Sequence, residues 1–291
     1  MTCVLKNDLL TVTLSDKGAE IISVKTADGC EYIWQGDAKY WEGQAPLMFP
    51  ICGRLFGGKY TYGDKEYEMN LHGFARKMTF SVKEADCTHA VFVLTDSEDT
   101  LSQYPFPFVL TVEYRLCENR VIGSVTVENS GSDTMPFALG LHPGFNVPLG
   151  EGSFEDCYVE FTEPCSPDKL ILSDTCFLTG KSEAFYVEGG KRIALSHSLF
   201  DNDAIFLSRV SDEVTLGSTV SKRYVRFKFE GFPYLGMWHA PKTDAPYVCI
   251  EPWCGLPSYD GEIDNFARKR DLFRIGGGET KNMQYTLTFG K

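Results

Sequence analysis

Apolar and polar residues alternate with a period of two in segment after segment of this chain, a pattern that only strands satisfy. Leu10, Val12 and Leu14 alternate with Thr11 and Thr13, while Phe108, Leu110, Val112, Tyr114 and Leu116 alternate with Thr111, Glu113 and Arg115. Val225, Phe227 and Phe229 enclose Arg226 and Lys228, and Met283, Tyr285, Leu287 and Phe289 enclose Gln284, Thr286 and Thr288. Successive side chains of a strand point to opposite faces, so each run is read as a strand with one buried face. No window of twelve or more residues carries the i, i+3, i+4, i+7 spacing of an amphipathic helix. Short helical turns are expected only near residues 96–103 and 258–266. Turn clusters such as Asp16-Lys17-Gly18, Ala27-Asp28-Gly29 and Asn129-Ser130-Gly131 separate the runs. Strands that follow one another without helices between them pair antiparallel, so the expected fold is all-β, a large antiparallel sandwich, rather than a βαβ fold. No low-complexity linker or internal repeat divides the chain, and residues 1–291 are expected to form a single domain.

Composition removes several classes of function. The formal net charge is −12, and the densest basic cluster is Arg268-Lys269-Arg270, read as a solvated loop. Without a longer Lys/Arg run to neutralise phosphates, nucleic acid is not an expected partner. No stretch of about 18 apolar residues exists to span a bilayer, and no membrane partner is expected. The first residues lack the charged and apolar regions of a signal peptide. The ten cysteines are scattered, and Cys249 and Cys254 form a C-x4-C pair with no C-x2-C anywhere. Reduced thiols in a cytoplasmic protein are therefore expected, with no metal site. Neither G-x-G-x-x-G after a strand nor H-E-x-x-H occurs, and no cofactor is expected.

Three segments place an ionisable side chain at the end of an apolar run, beside Gly or Pro. These are Gly140-Leu141-His142-Pro143-Gly144-Phe145-Asn146, Leu71-His72-Gly73-Phe74-Ala75-Arg76 and Val248-Cys249-Ile250-Glu251-Pro252-Trp253. Pro143 restricts the backbone before it, which holds the His142 imidazole at a set angle, and imidazole titrates near neutral pH. Glu251 emerges from the apolar run Tyr247-Val248-Cys249-Ile250, where desolvation would raise its pKa toward that of a useful base. Gly73 lets a ligand approach the backbone beside His72. Two imidazoles, a carboxylate and a guanidinium suffice for acid–base chemistry on a neutral polyol. Trp238 and Trp253 are candidates to stack on the apolar face of a sugar ring. Trp34 and Trp41 read as packing under a long loop, His89 and His197 as surface residues, and Glu279 as a turn residue. His239 is equally compatible with cleft and core. Arg54 and Arg76 carry guanidinium forks that suit phosphate or carboxylate oxygens as well as hydroxyls.

Taken in order, Pro46-Leu47-Met48-Phe49-Pro50-Ile51-Cys52-Gly53-Arg54-Leu55, the His72 and His142 segments and Cys249-Ile250-Glu251-Pro252-Trp253 resemble the aldose 1-epimerase (galactose mutarotase) family. The likeness is to its shorter, LacX-like branch, and it covers nearly the whole chain. It implies a β-supersandwich whose concave face holds a sugar and interconverts the α and β anomers of an aldose. Carried over residue by residue, it implies Glu251 as base and His142 as acid. Arg54 and His72 would bind hydroxyls, as would Asp203 in Asp203-Ala204-Ile205-Phe206. The string His72-Gly73-Phe74-Ala75-Arg76 is also similar to one in hexose-6-phosphate mutarotases, so the expected partner is a small sugar, a hexose or a hexose phosphate. A non-catalytic sugar-binding or sensing protein on the same sandwich is a third reading. A glycosidase, needing two flanking carboxylates such as Asp203 and Glu251, is a remote fourth. Either a monomer or a homodimer is compatible with the sequence.

Overall fold

The computed structural model describes all 291 residues, Met1–Lys291, and is built almost wholly from antiparallel strands. A nine-stranded sheet has at its centre Glu213–Ser218, Tyr224–Lys228, Thr280–Gly290, Arg120–Asn129 and Phe108–Cys117, in that spatial order. The predicted alternation is realised there. In Phe108–Cys117, Phe108, Leu110, Val112, Tyr114 and Leu116 are buried, and the residues between them are half-buried or exposed. Thr280–Gly290 buries Met283, Tyr285, Leu287 and Phe289 in the same way.

A second, eight-stranded sheet carries the site. Leu178–Ala184, Asp168–Leu172, Ile205–Ser208, Tyr234–Trp238, Tyr247–Cys254, Leu139–Leu141 and Leu47–Met48 follow one another, and Gly144–Asn146 pairs additionally with Tyr247–Cys254. The apolar faces of the two large sheets meet in a core of 72 buried residues, where Phe145 of the smaller sheet lies 6.3 Å from Phe227 of the larger. Tyr247–Cys254 is buried at all eight positions, because one face packs on this core and the other lies beneath loops. Strands of that kind read as continuous apolar runs, as Tyr247-Val248-Cys249-Ile250 does.

One interruption in this sheet positions the chemistry. On one side, Tyr247–Cys254 pairs with Leu139 and Gly140 opposite Cys254 and Trp253, and then with Gly144–Asn146 opposite Cys249–Tyr247. The ladder lapses opposite Glu251 and Pro252, and His142-Pro143 fills the lapse. Pro252 has no N–H to lose there. The His142 amide donates instead to the Pro46 carbonyl (3.2 Å), and the Ile250 amide donates to the Pro143 carbonyl (3.2 Å).

Two local expectations met different outcomes. The helical turn near residues 96–103 exists as Glu98–Gln103, capped by Ser97 and Thr100 in a reciprocal capping box. The turn expected near 258–266 is not helical: Asp264–Asn265 pairs in parallel with Lys59–Tyr62. Nor is Arg268-Lys269-Arg270 wholly solvated. Lys269 is buried, with Nζ 2.9 Å from Asp264 Oδ2 and 3.2 Å from the Pro257 carbonyl. That tertiary pairing overrides the local polar pattern in both segments, because a buried ammonium needs its carboxylate.

The turn that presents His72 is the most constrained in the fold. Gly73 has φ 71°, and a Cβ there would meet the Phe49 carbonyl oxygen at 2.2 Å. Gly73→Ala is expected to cost more than ~1 kcal/mol and to displace His72. A thermal melt checks this, and an unchanged Tm would show that the turn has slack that these contacts deny.

Candidate active site

Eight strand ends and loops converge on a hollow of about 320 Å³ over the smaller sheet. Every site residue expected from sequence lines it: Glu251, His142, Arg54, His72, Arg76, Asp203 and Trp238. Trp253 lines it too, whereas His239 does not. His239 is fully buried and packs against Phe154, Phe200 and His197. The Cys52 thiol, beside Gly53-Arg54, is buried and donates toward the Cys254 carbonyl, away from the hollow.

At the floor, His142 Nε2 lies 3.4 Å from Glu251 Oε2, and the two residues are only 8% and 2% exposed. The Trp253 indole N–H donates to the same Glu251 oxygen at 3.2 Å. Burial pushes the Glu251 carboxyl well above the usual carboxylate range, and the charge of Asp203 adds to the rise. Burial likewise holds the His142 imidazole down, at about 4, with the Arg76 guanidinium opposing its protonation. The two groups contend for one proton. A protonated carboxyl beside a neutral imidazole and a carboxylate beside an imidazolium have the same net charge, so the proton can sit on either without charging the hollow.

His72 stands next to this pair, its ring 5.5 Å from His142 and 5.6 Å from Trp253. Its backbone φ is 62°, an uncommon value for histidine. A two-way clamp holds it there: the His72 amide donates to the Gly53 carbonyl (2.8 Å), and the Gly53 amide donates to His72 Nδ1 (3.1 Å). An amide can only donate, so Nδ1 is the acceptor and the neutral ring carries its proton on Nε2. Burial, with the neighbouring His142, Arg76 and Arg54, holds the His72 pKa well below its ordinary value and keeps it in that neutral form.

The walls are polar on two sides. Asp203, at φ 74°, accepts from the Trp238 indole (2.8 Å) and from the Cys176 thiol (2.8 Å). Arg54 donates to the Thr175 carbonyl (3.2 Å) and Arg76 to the Leu71 carbonyl (3.2 Å), which leaves both forks with further donors. Three buried side-chain polar atoms in the whole chain have no partner: Arg76 Nε, His142 Nδ1 and Glu251 Oε1. All three belong to residues of this hollow. Unpaired buried polar groups are costly, and their concentration here marks a surface shaped for a polar ligand.

Sequence reasoning missed two contributors. Trp41, expected to be packing, stacks on His142 with centroids 4.9 Å apart and lines the hollow. It belongs to an unpatterned loop, seated there by the bond from the Trp34 indole to the Trp41 carbonyl (2.8 Å), by the bond from its own amide to the Asp37 carbonyl (2.9 Å) and by packing on Tyr247. Cys176 reaches Asp203 from the turn after Asp168–Leu172, and nothing local to either residue signals the contact. Trp34 is buried packing, as expected. His89 bonds Glu113 at the sheet surface, and His197 is half-buried against Phe154. Among His, Cys, Asp and Glu side chains, one group of three brings its donor atoms within 4.8 Å of one another: His142, Cys249 and Glu251.

An antiparallel sandwich that buries a carboxyl–imidazole pair at the bottom of a hollow lined by aromatic and polar side chains defines a candidate small-molecule site. The chain belongs to the aldose 1-epimerase family, whose model matches residues 1–259. It is 35% identical over 298 residues to protein LacX (plasmid) of Lactococcus lactis subsp. lactis, covering 99% of each chain. It superposes on a galactose mutarotase related enzyme from Lactobacillus acidophilus with a TM-score of 0.95 and 33% identity, covering 100% of this chain and 98% of that one. A galactose mutarotase-like protein from Lactobacillus casei ATCC 334 gives a TM-score of 0.92 at 30% identity, with both chains covered in full.

The buried pair has a consequence for stability. Because the folded pKa of Glu251 is raised, its contribution is intact below the ordinary carboxylate value and lost as pH climbs toward the folded one. For His142, with its pKa depressed to about 4, the contribution is intact above the ordinary imidazole value and lost as pH falls. Glu251→Gln removes the first penalty. It is expected to raise Tm at pH 8 by about 2–4 °C, the shift that relief of roughly 1 kcal/mol gives, and to raise it less at pH 5. Calorimetry at the two pH values tests the sign, and a variant less stable at pH 8 than at pH 5 relative to wild type would reverse it.

Proposed function

We propose that this protein is an aldose 1-epimerase that interconverts the α and β anomers of a hexose, with Glu251 as base and His142 as acid. The observation that carries the reading is the 3.4 Å contact between two buried, oppositely perturbed groups at the floor of a hollow of sugar-handling size. Mutarotation needs a proton taken from the anomeric hydroxyl and one delivered to the ring oxygen. Both oxygens are bonded to the same carbon, so an acid and a base a hydrogen bond's length apart can serve both. With the shared proton on His142, the Glu251 carboxylate accepts the O1 proton while the imidazolium protonates O5. The C1–O5 bond breaks, C1 becomes an aldehyde carbon, and rotation about C1–C2 exposes its other face. On closure His142 takes back the O5 proton and Glu251 returns its proton to O1, so each group ends as it began. Positioned acid–base groups contribute typically 10²–10⁴-fold each.

The surrounding residues supply orientation. Neutral His72 offers an N–H from Nε2, Arg54 and Arg76 offer further donors, and Asp203 accepts from hydroxyls with its two oxygens fixed by Trp238 and Cys176. The faces of Trp41 and Trp238, set at 81° with centroids 5.6 Å apart, suit the apolar faces of a pyranose.

Polarimetry on freshly dissolved α-D-glucose or α-D-galactose tests the assignment. Glu251→Gln is expected to lose roughly 10²-fold or more in kcat while keeping its fold, and full activity in that variant would refute the role.

A second reading keeps the chemistry and changes the substrate to a hexose 6-phosphate. It is favoured by one feature: Arg76 is half-buried, lines the same hollow as Arg54 and has its Nε unpartnered, more cationic donor capacity than a neutral hydroxyl requires. Burial lowers the Arg76 pKa more than the nearby Glu20 charge raises it, and an anionic ligand would offset the remainder. Under this reading Arg76→Ala raises KM for the phosphosugar by roughly 10–100-fold, as loss of a charge-assisted hydrogen bond of ~1.5–3 kcal/mol implies, and leaves KM for the free hexose unchanged. Equal effects on both substrates would exclude it.

A further inference from the structure

Cys249 is a buried thiol for which the proposed chemistry has no use. It sits two residues before Glu251 on the same strand, and therefore on the same face. Its Sγ, a ring nitrogen of His142 and a carboxylate oxygen of Glu251 all lie within 4.8 Å of one another, and all three residues are buried. Donors around a tetrahedral zinc ion stand ~3.3–3.8 Å apart at ordinary Zn–S, Zn–N and Zn–O lengths, so small side-chain rotations close the difference. The buried Glu251 Oε1, which has no partner, is a second, independent sign that the floor of the hollow lacks a ligand.

We propose that Cys249, His142 and Glu251 form a binding site for a zinc-class divalent cation, which enters through the sugar hollow and occludes it. The three residues supply three ligands: His142 and Glu251 line the hollow, and Cys249 is buried outside its lining, which leaves a fourth position for a water or another small ligand. The charge balance favours the exchange. The resting trio holds a thiol, a neutral imidazole and one proton on the carboxyl, with no net charge. As a dication enters, the thiol proton and the shared proton leave, and the thiolate and carboxylate offset the two positive charges. The site is neutral before and after, which matters because Arg54 and Arg76 line the same hollow and would oppose any gain of positive charge. Neutral His72, Asp203 and the Cys176 thiol also line the hollow, and the Cys52 thiol and Tyr247 hydroxyl lie near Glu251.

The donor set also sets selectivity. A thiolate with an imidazole suits Zn²⁺ and Cd²⁺, whereas Mg²⁺ and Ca²⁺ require oxygen ligands. Cys254, the other member of the C-x4-C pair, is excluded: it falls on the opposite face of the strand, where its Sγ points to the Gly231 carbonyl.

That the cation inhibits rests on the proposed roles of Glu251 and His142; that it binds does not. Titration of the full chain with Co²⁺, a spectroscopic stand-in for Zn²⁺, is expected to produce a near-ultraviolet thiolate-to-metal charge-transfer band saturating at one ion per chain. Cys249→Ser and Cys249→Ala should both abolish the band, and Cys254→Ser should keep it. Zn²⁺ affinity measured by calorimetry should fall in the Cys249 variants by more than the roughly 10–100-fold that loss of a supporting partner costs. Calorimetry in buffers of different ionisation enthalpy should report two protons released per Zn²⁺, and excess hexose should compete. Absence of the band in the wild type, or unchanged Zn²⁺ affinity in both Cys249 variants, would overturn the proposal. Catalysed anomer exchange without the band would sink this inference alone, while the band without catalysed exchange would sink the functional reading alone.

Discussion

A carboxyl and an imidazole in contact, both buried at the floor of an aromatic hollow, can hold one proton between them, and the rest of the site follows from that constraint. Each group alone resists ionisation there, Glu251 by a raised pKa and His142 by one lowered to about 4. As a pair they can ionise without net charge, because the proton need only move across 3.4 Å. Buried titratable groups at odds with their surroundings are characteristic of functional sites, since a fold tolerates the cost only where the rest of the structure enforces the arrangement.

That enforcement is visible in the sheet. The Tyr247–Cys254 strand is buried along its length and carries Glu251 on a rigid element. The lapse in pairing opposite Glu251 and Pro252 admits His142, whose position is set by Pro143 and by the bond from its amide to Pro46. Arg54 is steadied from below: its carbonyl accepts from the Ser258 amide, and the adjoining Pro257 carbonyl accepts from the buried Lys269 that pairs with Asp264. The clamp between Gly53 and His72 fixes both the place and the tautomer of the second imidazole. Sites supported in this way by a second layer of contacts are more exact than sites left to mobile loops.

How much of this was legible in the sequence depends on whether the information was local. Alternation at 108–116, 225–229 and 283–289 reports burial directly, and it appears as strands of the large sheet. Glu251 and His142 were legible because each ends an apolar run beside a proline, and the order of the motifs supplied the pairing that one segment cannot. Trp41 was not legible, since its place against His142 depends on contacts with Trp34, Tyr247 and Trp238 and on no pattern of its own. The same holds for Cys176 on Asp203 and for the approach of Cys249 to His142, contacts made across strands or loops distant in sequence. Lys269 was misread because a buried ion pair with Asp264 looks, locally, like a solvated basic loop.

The central claim is that catalysis requires one proton on the Glu251–His142 pair, no more and no fewer. The pH dependence of kcat/KM for anomer exchange, followed by saturation-transfer NMR on a hexose labelled at C1, tests it most directly. The account predicts a bell, with an acid limb where both groups are protonated and a basic limb where neither is, and loss of the basic limb in His142→Gln, where only the Glu251 carboxylate is left to titrate. A flat or single-limbed profile in the wild-type protein would contradict it.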